Sequence, residues 1–111
     1  MITTHVLDLV KGGAARGVPV KLEMQRAGEW ISIGRGVTDE NGRLATLSEG
    51  WMVAAGTYRL IFELSRYHRE HGLEQPFFPE ATITFYVRDT TEHYHVPLLI
   101  SPFGYSTYRG S

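Results

Sequence analysis

Cysteine is absent from this chain of 111 residues, so neither a disulfide framework nor a thiolate metal site is open to it. An excess of charge of either sign is missing too: 11 Lys and Arg stand against 12 Asp and Glu, a formal net charge of −1. That leaves no electrostatic footprint for nucleic acid and no basic run for a membrane surface. No apolar stretch approaches the roughly 20 residues that a membrane span needs. The opening Met1-Ile2-Thr3-Thr4-His5 lacks the basic and apolar regions of a secretion signal, and a soluble, cytoplasmic protein is the expectation. Familiar catalytic motifs are missing as well. There is no glycine-rich phosphate cradle, no Gly-x-Ser-x-Gly elbow and no pair of matched carboxylates. Glu63, Glu70, Glu74 and Glu80 read as surface charge.

What the chain does have is alternation. Its length predicts a single domain over 1–111, able to bury a core without staples. Period-two patterns predict strands over 4–10, 18–25, 30–37, 57–64 and 81–88, because successive side chains of a strand point to opposite faces. Glycine-rich 11–17 and the Asn41-Gly42 pair mark turns. The one helical candidate is 65–72, with Ser65 as its cap, Gly72 as its stop, and His68 and His71 on a solvated face. Several short strands separated by turn signals make a two-sheet sandwich or a barrel.

The carboxyl-terminal stretch carries the chemistry. Leu98-Leu99-Ile100 reads as a buried strand, Ser101-Pro102-Phe103-Gly104 as a turn, and Tyr105-Ser106-Thr107-Tyr108 as a returning strand. Such a hairpin brings Tyr108-Arg109-Gly110-Ser111 back toward His93 and His95. His5 shares a strand face with Leu7 and Leu9, and His95 shares one with His93, Pro97 and Leu99. Both strands are apolar on their other face as well, which suits burial against another subunit. Taken singly, His5 reads as a satisfied surface or core group and Arg43 as a loop cation. Two imidazoles at His93-x-His95, with His5 as a third, also match the ligand count of a catalytic zinc.

These residues resemble a known family. The run His93-Tyr94-His95-Val96-Pro97-Leu98-Leu99, with Ser101-Pro102 and the tail Tyr105 to Ser111, is similar to the signature of the 5-hydroxyisourate hydrolases, transthyretin-related enzymes of urate breakdown. The similarity runs nearly end to end, through His5-Val6-Leu7-Asp8, Thr38-Asp39 and Asn41-Gly42-Arg43. One departure is Ala14-Ala15-Arg16-Gly17, where the family usually has a Gly-x-Pro-Ala turn. The resemblance implies an all-β, transthyretin-like sandwich of two sheets and about eight strands with one short helix. It further implies a homotetramer, a dimer of dimers, with sites at the dimer–dimer interface, and a reaction without metal or cofactor. His5 and His95 would be the catalytic histidines, Arg43 and Ser111 site residues, and Tyr108 the floor of a channel that hormone carriers leave open. One histidine would take a proton from water while Arg43 steadied the developing oxyanion. The rival expectation is a transthyretin-like carrier of a small molecule, without catalysis, and a weaker one is an immunoglobulin-like interaction module.

Overall fold

The computed structural model describes residues 1–111, as nine strands and one helix. In chain order these are β1 (Ile2–Asp8), β2 (Gly13–Ala14), β3 (Pro19–Arg26), β4 (Glu29–Val37), β5 (Arg43–Leu44), β6 (Gly56–Glu63), α1 (Ser65–Glu70), β7 (Glu80–Val87), β8 (Tyr94–Ser101) and β9 (Gly104–Thr107). One sheet runs β2-β1-β8-β9, with β5 also on β1; the other runs β4-β3-β6-β7. The expected all-β, two-sheet sandwich with one short helix is what forms. Two elements were not anticipated, the two-residue strands β2 and β5, because each lies inside a glycine-marked turn and is a strand only by its pairing with β1.

The alternating residues decide what meets in the middle. Val6, Leu98 and Ile100 from one sheet and Leu22, Tyr58, Leu60 and Phe62 from the other are at most 1% exposed and form one core cluster. Each such side chain contributes about 1.5–3 kcal/mol through its removal from water. The opposite face of the first sheet carries His5 and His95. β1 and β8 run parallel, and their register sets Thr3 beside His95, His5 beside Pro97 and Leu7 beside Leu99.

β1 begins two residues earlier than the alternation predicts and ends at Asp8. The Asp8 carboxylate stops it by accepting hydrogen bonds from the Val10 and Lys11 amides, at 2.9 and 3.1 Å. Leu9 therefore leaves the His5 face for an exposed turn. In β4, glycines serve close packing. A Cβ on Gly34 would collide with the Leu47 carbonyl, and one on Gly36 would lie 2.8 Å from a Leu44 methyl. The chain from β5 onward can lie across β4 only because these positions are bare.

The helix corrects two expectations. Ser65 does not cap it; the Leu64 and Ser65 amides donate instead to the Pro79 carbonyl. His68 is not on a solvated face but buried, and with Tyr67 it docks the helix. Gly72 does end it, at φ +93°, with Leu73 N–H donating to His68 O and Gly72 N–H to Arg69 O, the paired bonds of a Schellman close. No helix is long and apolar enough to cross a membrane.

Candidate active site

Three separate devices bring chemistry to one end of the β1–β8 face. The first is the turn before β5. Asp39 Oδ1 accepts from the Asn41 and Arg43 amides at 2.9 and 3.0 Å, and Gly42 N–H donates to Asp39 O at 2.8 Å. Gly42 takes φ +73°, and a Cβ there would strike the Val6 carbonyl. Only glycine therefore lets the turn lie flat on β1, where the Val6 amide donates to Gly42 O at 2.7 Å. The result is His5 paired with Arg43 across β1 and β5.

That turn also sets a tautomer. His5 Nε2 lies 2.9 Å from the Asn41 carbonyl oxygen, which can only accept, so Nε2 carries the proton. In the neutral ring Nδ1 is left as the acceptor.

The second device is a hydroxyl. Thr3 Oγ1 sits 2.8 Å from His95 Nδ1 and 2.8 Å from His93 Nε2, bridging two rings whose centroids are 6.2 Å apart. His95 is partly buried, and its other nitrogen, Nε2, is left for a substrate. Burial holds its pKa below the ordinary histidine value, helped by the positive Arg43 guanidinium and by His93 and His5; a hydrogen bond with the Thr3 backbone pulls the other way. A histidine kept neutral in this way is suited to accept a proton near neutrality.

The third device is the tail. Beyond β9 the chain keeps the antiparallel register of β9 along β8, so that Gly110 bridges His95, with Gly110 N–H donating to His95 O at 2.8 Å. The imidazole packs closely against this glycine: a Cβ on Gly110 would lie 2.5 Å from His95 Cδ2. Arg109 anchors the strap, with Nη2 3.1 Å from Glu92 Oε2 and the guanidinium 4.7 Å over the Tyr94 ring.

Thr3, His5, Arg43, His93, His95, Tyr108, Gly110 and Ser111 thereby line one open pocket of about 490 Å³. All five residues singled out in the sequence, His5, Arg43, His95, Tyr108 and Ser111, are in that lining. Thr3 and Gly110 escaped notice. A threonine in a strand and a glycine in a tail carry no motif, and the only available hint was that Thr3 shares a face with His5. Nothing groups three His, Asp or Glu side chains closely enough to hold a metal ion. The Thr3 bridge and the Asn41 carbonyl occupy one nitrogen on each of the three site histidines.

His68 and His71 belong elsewhere. The Tyr67 hydroxyl donates to Asp8 Oδ2 at 2.7 Å, and the His71 ring stacks on Tyr67 at 4.1 Å. Burial works to raise the Asp8 pKa, but the bonds from Tyr67, Lys11 and Val10 outweigh it and hold the carboxyl below its ordinary value. Burial, then Asp8, pushes the Tyr67 phenol upward, and burial lowers His68. This cluster ties the helix to the end of β1.

Comparison with known proteins follows the same lines. A 5-hydroxyisourate hydrolase of Salmonella dublin is 43% identical over 111 residues, covering 100% of this chain and 81% of the relative. The structure of Klebsiella pneumoniae 5-hydroxyisourate hydrolase superposes with a TM-score of 0.81 at 39% identity, over 99% of this chain and 92% of that one. The crystal structure of transthyretin from Sparus aurata superposes with a TM-score of 0.91 at 34% identity, over 98% and 95% of the two chains. The family model described as HIUase/Transthyretin matches residues 2–110, and with that span and these identities the chain belongs to the HIUase/transthyretin family.

Proposed function

We propose that the protein hydrolyses 5-hydroxyisourate to 2-oxo-4-hydroxy-4-carboxy-5-ureidoimidazoline, a step of urate degradation, as one domain over 1–111. The observation that carries this is a single polar pocket that gathers His5, Arg43 and His95 from three strands and Ser111 from the tail, in a chain similar end to end to named hydrolases. His95 Nε2 takes a proton from water, and the water oxygen attacks a ring amide carbonyl. Arg43 holds the substrate's carbonyl groups through its planar fork and stabilises the oxyanion, an effect often near 3–4 kcal/mol for one donor. The C–N bond then breaks, and the imidazolium returns its proton to the leaving nitrogen. His5, its Nε2 committed to Asn41, orients the substrate through Nδ1. Ser111 positions the water and Tyr108 the substrate.

The carrier alternative has the fold likeness to transthyretin on its side, but fold alone does not choose a function. A carrier of apolar rings needs a mostly apolar pocket. Histidine, arginine, threonine and serine in the lining favour chemistry. We read the outward face with half-buried Leu7 and Leu99 as a subunit contact within a dimer of dimers, the pocket lying at the dimer–dimer interface. A cytoplasmic location fits a chain without cysteine.

The test uses freshly generated 5-hydroxyisourate, whose spontaneous decay is followed by ultraviolet absorbance. The protein should accelerate the decay, and His95→Ala should abolish the acceleration. Binding without any acceleration would favour the carrier.

A further inference from the structure

Thr3 is 6% exposed on the outer face of the sheet, where an alternating strand in contact with water would normally carry an exposed residue. It is covered by the two rings it bonds. A hydroxyl has one proton to give, so its two bonds are not independent. If Thr3 donates to His93 Nε2, its oxygen accepts from His95 Nδ1–H, and His95 presents an unprotonated Nε2. If His93 Nε2–H donates to Thr3, the hydroxyl turns to His95 Nδ1, and His95 presents Nε2–H. The third arrangement, with both rings donating, strands the buried hydroxyl proton without an acceptor, which native interiors avoid.

We propose that Thr3 and His93 are positioning residues for His95: neutral His93 permits the His95 tautomer that accepts a proton at Nε2, and protonated His93, able only to donate, reverses the bridge and withdraws it. This rests on the hydrolase reading in the role it gives His95, but the bridge itself does not. His93 is exposed and His95 only partly so, which gives solvent freer access to the His93 ring. The groups around His95 are Arg43 from β5, His5 and Thr3 from β1, His93 from its own strand, and Met1, Tyr108 and Ser111 in the lining of the same pocket. Activity then depends on the protonation state of His93 as well as on that of His95.

The experiment compares wild type, Thr3→Val, Thr3→Ser and His93→Gln in the full chain. In wild type the acid limb of log kcat/KM against pH should steepen by one unit of slope relative to His93→Gln, since glutamine cannot be charged. Thr3→Val, of matching shape, should lower kcat at least about tenfold with KM within roughly twofold, part of the 10²–10⁴ that general base catalysis supplies. Thr3→Ser should recover most of it. Nitrogen-15 NMR of resting wild type above neutrality should show His95 protonated at Nδ1, and Thr3→Val should lose that preference. Equal slopes in wild type and His93→Gln, unchanged kcat in Thr3→Val, or His95 protonated at Nε2 at rest would each overturn the proposal. The NMR arm needs no substrate. If the protein proves not to hydrolyse 5-hydroxyisourate, the tautomer result still decides whether the bridge works as described.

Discussion

Gly110→Ala isolates the contact between the tail and the His95 ring. Gly110 is not among the glycines with positive φ, so the backbone accepts alanine and the whole effect is steric. The new Cβ would stand 2.5 Å from His95 Cδ2, 3.2 Å from Cγ and 3.3 Å from Pro97 Cγ. An ordinary contact begins at 3.4 Å, so ring and strap must separate by about 1 Å. Two responses are open. If the ring yields, it moves against its 2.8 Å bond to Thr3, and a misplacement of about 1 Å in a catalytic group costs on the order of 10²-fold in rate. If the strap yields, it loses the 2.8 Å bond from Gly110 N–H to His95 O and carries Ser111 out of the pocket. Either way, overpacking of this kind costs about 1–3 kcal/mol. At roughly 4 °C per kcal/mol for a chain of this size, Tm should fall by about 4–12 °C. Steady-state kinetics separate the responses: a displaced ring lowers kcat at constant KM, whereas a lifted strap also raises KM. An alanine variant with wild-type kcat, KM and Tm would refute the packing argument and with it the claim that the tail positions His95.

Other perturbations test neighbouring links. Arg43→Lys keeps the charge but loses the planar fork, and kcat/KM should drop at least about tenfold; full retention would mean that charge alone suffices. Tyr67→Phe removes the donor to Asp8 Oδ2 and should lower stability by about 1.5–3 kcal/mol in urea unfolding, with kcat nearly unchanged because the cluster is not in the pocket. His68 and His95 both have folded pKa values below the ordinary ~6.5, so across that interval the unfolded chain binds more protons and stability falls as pH drops through about 6.5. Tm should therefore be lower at about pH 5.5 than at about 7.5, and His68→Phe should flatten the difference; an equal slope in that variant would remove His68 as a contributor. Asp8 acts in a separate window, its contribution being lost only below about pH 4, as pH falls through its depressed pKa.

How far the sequence reached can be told residue by residue. Alternation in 18–25, 57–64 and 81–88 located β3, β6 and β7 to within a residue, because a strand with one buried face must repeat every second position. The Asn41-Gly42 turn, the tail hairpin and the five pocket residues were legible too, the last through a family resemblance tied to short motifs. Tertiary structure decided the rest. His68 looked solvated among charged neighbours, and only the docking of the helix on Asp8 buries it. β5 is two residues long and exists because Gly42 lets it reach β1. Thr3 bonds a ring 92 positions away, and Gly110 matters for the imidazole that lies on it. Local pattern records which way a side chain faces, since that depends on its immediate neighbours in the chain. What it meets there depends on strand order and register, and those are set by burial across the whole molecule.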